Sequence, residues 1–227
     1  MRSSLIAGLI VVLAAAVVAL APGLASADPL RPAVATIKRI QGPVELLSAT
    51  APAVPARVGM TLSPKDRIQT GDKARALLVF VDGSELTIGE SAEIVIDEYL
   101  YNPKAQRGRS FLAVLKGAFR FTTGKLGGLA DRKIEVRTRA ANLAVRGTDF
   151  WGGVLDGALS VVVFAGRVEV QTRVGSQILD KPRQGTTIAL HNSGDPALVG
   201  TAASAPTAPA IWQDAKVAQA VDTISFR

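Results

Sequence analysis

Cysteine is absent from this chain, and histidine occurs once, at His191. Without thiols there is no disulfide framework, no thiolate metal site and no cysteine nucleophile, so a folded domain must rest on its core. One histidine is too few for a zinc centre built from His and Cys, and a Ser-His-Asp triad would depend on that residue alone. The sequence has no Gly-x-Ser-x-Gly elbow, no Asp-x-Asp-x-Asp-Gly loop and no Walker spacing. Residues 124–129 (GKLGGL) are glycine-rich, but no helix pattern follows them, and they read as a mobile loop. Aromatic residues make up 5% of the chain, too few for a series of platforms on which bases could stack. Nucleic acid is therefore not expected as a partner, despite a formal charge of +7. No metal or other cofactor is expected.

One long apolar run is present. Residues 5–20 (LIAGLIVVLAAAVVAL) follow Met1-Arg2 and precede Pro22-Gly23 and the small residues Leu24-Ala25-Ser26-Ala27. That order reads as a signal peptide over 1–27, cleaved near Ala27 to leave Asp28 as the mature N-terminus. The chain is then periplasmic or secreted. The alternative is retention of the segment as an inner-membrane anchor, since residues 5–24 are about the 20 residues a bilayer requires. The remaining 200 residues are ample for one domain, which at this size buries roughly 70% of its unfolded surface.

Short strands dominate residues 34–190. Residues 133–138 (KIEVRT) alternate, with Ile134, Val136 and Thr138 on one face and Lys133, Glu135 and Arg137 on the other. Residues 167–172 repeat this with Val168 and Val170 inward. Residues 85–88 and 93–96 do so with Leu86, Ile88, Ile94 and Ile96. Residues 76–81 (ALLVFV) and 159–164 (LSVVVF) are apolar on both faces and are expected to be central strands. Asp-Gly pairs at Asp82-Gly83 and Asp156-Gly157 signal hairpins, and residues 164–168 (FAGRV) read as a third tight return. The expectation is an all-β single domain over 28–193 of about a dozen short strands: a sandwich, a roll or a short β-solenoid. An Ala/Pro linker over 194–210 follows. A short C-terminal helix within 211–227 then docks through Ile211, Ala215, Ala218 and Val221.

Charge is segregated along the chain. Residues 76–103 carry Asp82, Glu85, Glu90, Glu93, Asp97 and Glu98 and no base, whereas residues 104–146 carry 11 Lys and Arg against Asp131 and Glu135. Two solvated faces that neutralise one another account for this. The sharper reading is a basic patch for an anionic partner, such as a phosphate-bearing headgroup or an acidic protein surface. The acids from 82 to 98 are expected on outward strand positions, as a solvated face and not a catalytic pair.

One stretch, residues 143–152 (LAVRGTDFWG), offers a threonine flanked by an arginine and an aspartate. Unbroken alternation from Leu143 and Val145 would put Asp149 in the core and Phe150 outside. A one-residue bulge at Arg146-Gly147 reverses both assignments, turning Thr148 and Phe150 inward and setting Asp149 beside Arg146 outside. Thr148 then has no base to activate it.

These residues resemble the FecR domain, the family of the ferric-citrate regulator. The first block is residues 59–94, with Gly59, Leu62, Asp66 and Thr70, an apolar strand ending at Phe80, the turn Asp82-Gly83-Ser84, then Leu86, Ile88 and Ser91. The second is residues 136–153, with a Thr-rich strand followed by Val145, Arg146, Gly147, Thr148 and the aromatic Phe150; residues 115–121 (LKGAFRF) fit the connecting element. Position 65 carries Lys where the family usually has Gly. The resemblance implies a periplasmic all-β module in signalling or envelope functions, with no catalytic residues to carry over. Regulators of this type place an anti-sigma segment in the cytoplasm before one transmembrane helix, and their periplasmic part receives a signal from a TonB-dependent receptor. Here only Met1–Ser4 precede the apolar run, so a stand-alone exported member lacking the cytoplasmic anti-sigma segment is expected.

The expected function is a non-enzymatic protein-binding or sensory module. It would offer sheet edges and a basic face of Arg137, Arg139 and Arg146, along one strand, to an envelope protein. The alternatives are a structural envelope protein binding anionic polymer or lipid, and a carbohydrate-active enzyme using the acids between Glu85 and Glu98.

Overall fold

The computed structural model describes residues 31–49, 51–191 and 199–227. The signal-peptide segment and part of the linker lie outside these residues. Among the described residues there are 16 strands, and they form one hydrogen-bonded sheet. In chain order they are β1 (Ala35–Gln41), β2 (Val44–Leu47), β3 (Val54–Pro55), β4 (Thr61–Leu62), β5 (Arg67–Thr70), β6 (Arg75–Phe80), β7 (Glu85–Ile88) and β8 (Glu93–Asn102). The second half comprises β9 (Arg107–Lys116), β10 (Phe119–Thr122), β11 (Asp131–Thr138), β12 (Asn142–Leu155), β13 (Ala158–Gln171), β14 (Ser176–Leu179), β15 (Gln184–Ala189) and β16 (Ala210–Ile211). One helix, α1 (Asp214–Asp222), follows.

The main path through the sheet is β3-β2-β5-β8-β9-β11-β12-β10-β7-β6-β1-β4, with β13 on the other side of β12. β12 joins the two wings: its start pairs β11 at Leu143↔Val136, and its end pairs β10 at Phe150↔Phe121. The sheet therefore curls back on itself into an all-β half-barrel. A solenoid would stack parallel rungs, but only β9 and β11 are parallel in this sheet. The wings meet face to face, with Phe80 of β6 stacked on Tyr99 of β8 at 5.0 Å between ring centroids.

Alternation fixes which side chains fill the space between the wings. Ile134 and Val136, Val168 and Val170, and Ile94 and Ile96 all point into the core, as their period of two requires. Residues 159–163 are buried on both faces, because β15 and the C-terminal segment cover what the main core does not. Residues 76–81 differ from the sequence expectation. Only Ala76, Leu78 and Phe80 are buried, Leu77 and Val79 are half-buried and Val81 is exposed. β6 belongs to a wing with one covered face, and mixed apolar composition cannot distinguish that from a central position.

The turns divide in the same way. Asp156 and Gly157 have φ of 52° and 77°, the two positive angles of a type I′ hairpin between β12 and β13. Residues 164–168 make no turn, because β13 runs unbroken from Ala158 to Gln171. Residues 124–129 are also not a free loop. They contain a 3-10 turn, Lys125–Gly128, which buries Leu126 and Leu129. The described part of the segment expected as linker lies along β15, with Ala203 N–H donating to Ala189 O (2.8 Å) and Thr207 N–H to Thr187 O (2.9 Å). Helix α1 docks with a different stripe from the one expected: Trp212, Ala220 and Ile224 are buried, whereas Ile211 and Ala218 are exposed.

The register slip is present. Arg146 pairs Arg167 and Asp149 pairs Ala165, with the shift falling between Arg146 and Asp149 and again between Asp149 and Phe150. Gly147 has φ +59° and Gly166, across from it, φ +80°. Thr148 and Phe150 turn inward and Arg146 outward, and β12 leaves β11 to join β10 at this point.

Candidate functional site

The sequence-motif residues lie in two groups of internal contacts. Asp66 is buried, accepting hydrogen bonds from Arg31 Nη2 (2.9 Å), Ser63 N–H (2.8 Å) and Ala49 N–H (3.3 Å). Thr70 donates its hydroxyl to Gly89 O (2.6 Å) and accepts from Ala92 N–H (2.9 Å). Gly59 sits in an exposed loop at φ +90°. Asp82 departs from the outward position expected for it, being 1% exposed. Its carboxylate accepts four donors: Tyr99 OH (2.6 Å), Ser84 N–H (2.9 Å), Ser84 OH (2.7 Å) and Leu126 N–H (3.0 Å). Gly124 N–H donates to Ser84 Oγ (2.8 Å), so the Asp82-Gly83-Ser84 turn and the 3-10 turn are locked together. The carboxylate sits at a turn flanked by apolar strands, and nothing in the local pattern distinguishes it from a solvated hairpin tip.

In the second group, Thr148 donates to Arg167 O (2.8 Å), and its N–H donates to Thr123 Oγ1 (3.1 Å). Phe150 packs edge-on against Phe119 and Phe121, with centroids 5.6 and 6.2 Å away. Asp149 does not pair with Arg146. It accepts a two-point bond from Arg120, at 2.8 and 2.6 Å, with the guanidinium 4.7 Å from the Phe164 ring centre. Hydrogen bonding to Asp149 raises the Arg120 pKa further, so the pair stays ionised. Alternation in residues 119–122 would have placed Arg120 outward, but β10 had first to be placed beside β12.

Three of the acids from 85 to 98, Glu90, Glu93 and Asp97, are held in ion pairs. Glu93 bonds Arg67 (2.6 Å), Glu90 lies 3.5 Å from Arg75, and Asp97 pairs with Lys65. These three acids are therefore met by bases from 65 to 75, not by the basic block expected to neutralise them. Among the described residues, no three His, Cys, Asp or Glu side chains are grouped to hold a metal ion, and no helix is long and apolar enough to cross a membrane.

The basic block is thereby left on the outer face of β9, β11, β12 and β13. Cross-strand register sets Arg109 beside Lys133 and Arg146 beside Arg167. The few acids are shared: Asp131 meets Arg107 and Arg109, Glu135 meets Lys133 and Arg137, and Asp180 meets Arg167. Hydrogen bonding by Arg109 holds the Asp131 carboxyl below the usual range. The Arg146 side chain makes no hydrogen bond or ion pair among the described residues. Arg137, Arg139 and Arg146 do not form a single row. Arg137 is the last residue but one of β11, Arg139 stands in the turn closed by Thr138, and Arg146 lies on β12. Sequence alternation put Lys133 and Arg167 outward, but only the strand pairing places them next to Arg146.

Two grooves border Arg146. One, of about 320 Å³, opens where β11 and β12 part and is lined by Arg132, Lys133, Glu135, Ala144 and Arg146 among others. The other, of about 130 Å³, lies across β12 and is lined by Ala144, Arg146, Arg167, Glu169 and Ile178. A third, apolar recess of about 170 Å³ lies at the far end of the sheet, between Val114, Leu159 and Leu190, with Lys116 and Arg139 among its lining residues.

No curated protein matches the chain. Two crystal structures of a protein assigned as an anti-sigma factor from Parabacteroides distasonis ATCC 8503, at 2.50 and 1.65 Å resolution, are similar to it at 18% identity, with TM-scores of 0.46 and 0.43. The alignment covers 54% of this chain and 54% of theirs, so the chain spans about half the length of those proteins. Residues 66–169 match the family model described as FecR protein, which supports a signalling-related role.

Proposed function

We propose that this chain is an exported, non-enzymatic FecR module that acts in envelope signalling by binding another protein. Its N-terminal apolar segment directs it to the periplasm, with cleavage near Ala27. The observation that carries the reading is the division of polar groups between the inside and the outside. Asp66, Thr70, Asp82, Ser84 and Thr148 are occupied by internal hydrogen bonds, and none is presented to a cavity with a base beside it. Cations on the outer face exceed the acids that meet them, and exposed ion pairs of this kind contribute little to stability. A charged face that does little for folding is available for recognition.

The test is a photo-crosslinking residue placed at Arg137, Arg139 or Arg146 in cells, with Val54 as the control position. A discrete adduct from the basic face and none from Val54 is the expected result. No adduct from any of the three arginine positions overturns the reading.

A further inference from the structure

Arg146 and Arg167 stand directly opposite each other on β12 and β13, beside the bulge. Like charges in that position destabilise a sheet. Continuing the β11–β12 register from Glu135↔Ala144 brings Lys133 opposite Arg146, across the groove where the two strands part. The two grooves share Ala144 and Arg146, so they join into one track that crosses three strands past Lys133, Arg146 and Arg167. At strand spacing the track is about 10 Å long, the reach of three extended residues. We propose that it takes an extended acidic peptide segment of a protein partner, with carboxylates meeting Arg146 and Arg167. The proposal rests on the protein-binding reading and names the chemistry of the partner.

The shape of the charge favours a single chain over a surface. Glu135 and Glu169 lie in the adjacent cross-strand row with Ala144 between them, and Asp180 stands beyond Arg167. Both glutamates also line the grooves, so a broad anionic membrane would be repelled, whereas one narrow anionic strand runs beside them along the row of Lys133, Arg146 and Arg167. Arg146 has no carboxylate of its own, and Arg167 holds Asp180 only at 3.3 Å on the exposed surface. Ile178, 47% exposed at the end of the second groove, offers an apolar contact beside the charges.

The test uses the full chain and fluorescein-labelled octa-glutamate, followed by fluorescence anisotropy at low and physiological salt. The variants are Arg146→Glu with Arg167→Glu, and a control of equal charge change, Lys38→Glu with Arg57→Glu, at exposed positions elsewhere. The track variant should weaken binding by about tenfold or more and flatten its salt dependence, and the control by less than about threefold. The single variant Arg146→Glu is measured beside them: it sets an acid opposite Arg167, should leave the melting temperature unchanged or raised, and should itself weaken binding, so loss of folding in the double variant does not confuse the result. Equal loss in both double variants, or no binding of the peptide at all, overturns the proposal. Polyphosphate or phosphatidylglycerol vesicles binding through Arg146 and Arg167 in preference to the peptide would assign the track to a polymer or lipid instead. A crosslinked protein adduct that survives Arg146→Glu with Arg167→Glu removes the track and leaves the protein-binding reading standing.

Discussion

Four donors converge on the Asp82 carboxylate, and three of them have no other acceptor among the described residues. Asp82→Ala would strand the Ser84 and Leu126 N–H groups and the Tyr99 hydroxyl inside the wing contact. Each buried orphan costs about 1–3 kcal/mol, and the sum is less than additive, so a loss of about 3–5 kcal/mol is expected in urea unfolding. The same carboxylate sets a pH dependence. Burial, and then the hydrogen bond to Asp82, pushes the Tyr99 phenol far above the ordinary tyrosine range. A group whose pKa is raised by folding contributes stability that is present below its unfolded value, about 10, and is lost as pH rises beyond it. Between pH 10 and 11 the native chain should lose up to about 1.4 kcal/mol per pH unit more than Tyr99→Phe, read by urea unfolding at each pH. Lys65 shows how a departure from a family pattern becomes physical. It sits at φ +75°, where a side chain is strained and glycine is not. Lys65→Gly should be at least as stable as the native chain, and Lys65→Val less stable by about 1–2 kcal/mol, because a branched side chain suits that region least. The sequence resemblance marked the position, but the strain became visible only with the backbone angle.

At the scale of elements, the β12–β13 ribbon carries the fold from one wing to the other, and its bend is made by two facing glycines. Alternation was enough to locate one of them: Asp149 and Phe150 would otherwise exchange core and solvent, so a slip near Gly147 was required. Its partner could not be found that way. Gly166, within the residues FAGRV, has the local composition of a hairpin turn, and only the pairing of Arg146 with Arg167 shows that it faces the bulge instead. The two glycines differ in what a side chain would meet. A Cβ on Gly147 finds nothing within 4 Å, so Gly147→Ala should cost only its backbone strain, about 1–2 kcal/mol. A Cβ on Gly166 would stand 2.0 Å from Gly147 O, a backbone atom that cannot swing away. Gly166→Ala should therefore cost about 3 kcal/mol or more. Comparable urea midpoints for the two variants would show that the bulge relaxes freely and does not fix the bend. The 3-10 turn was illegible for a related reason: glycine-rich composition predicts freedom, but Leu126 and Leu129 find a core and Asp82 accepts the turn's N–H.

The whole molecule is two curled wings closed by a C-terminal cap. The cap has its own small core, in which Trp151, Leu155 and Val162 of the ribbon meet Trp212, Ala220 and Ile224. Helical spacing in residues 211–226 made a docking helix legible, but not its face. The buried stripe begins at Trp212, ahead of the helix, and the contact is set by Trp151, some 60 residues earlier, whose indole N–H donates to Thr223 Oγ1 at 3.0 Å. α1 has nine residues and no side-chain cap at its N-terminus, too short to be stable alone, so packing on the ribbon holds it. Two consequences follow for Trp212→Ala. It removes a large ring from beside Trp151, 6.5 Å between centroids, and should cost about 3–5 kcal/mol, enough to release α1 if the cap unfolds ahead of the wings. Trp151, fully buried in the native chain, would then face water, and as the sole remaining tryptophan it would report this directly through red-shifted emission. Partial release predicts a red shift at denaturant concentrations where far-ultraviolet circular dichroism still shows the sheet intact. Coincident transitions in the two signals would mean instead that the cap and the wings unfold as one cooperative unit.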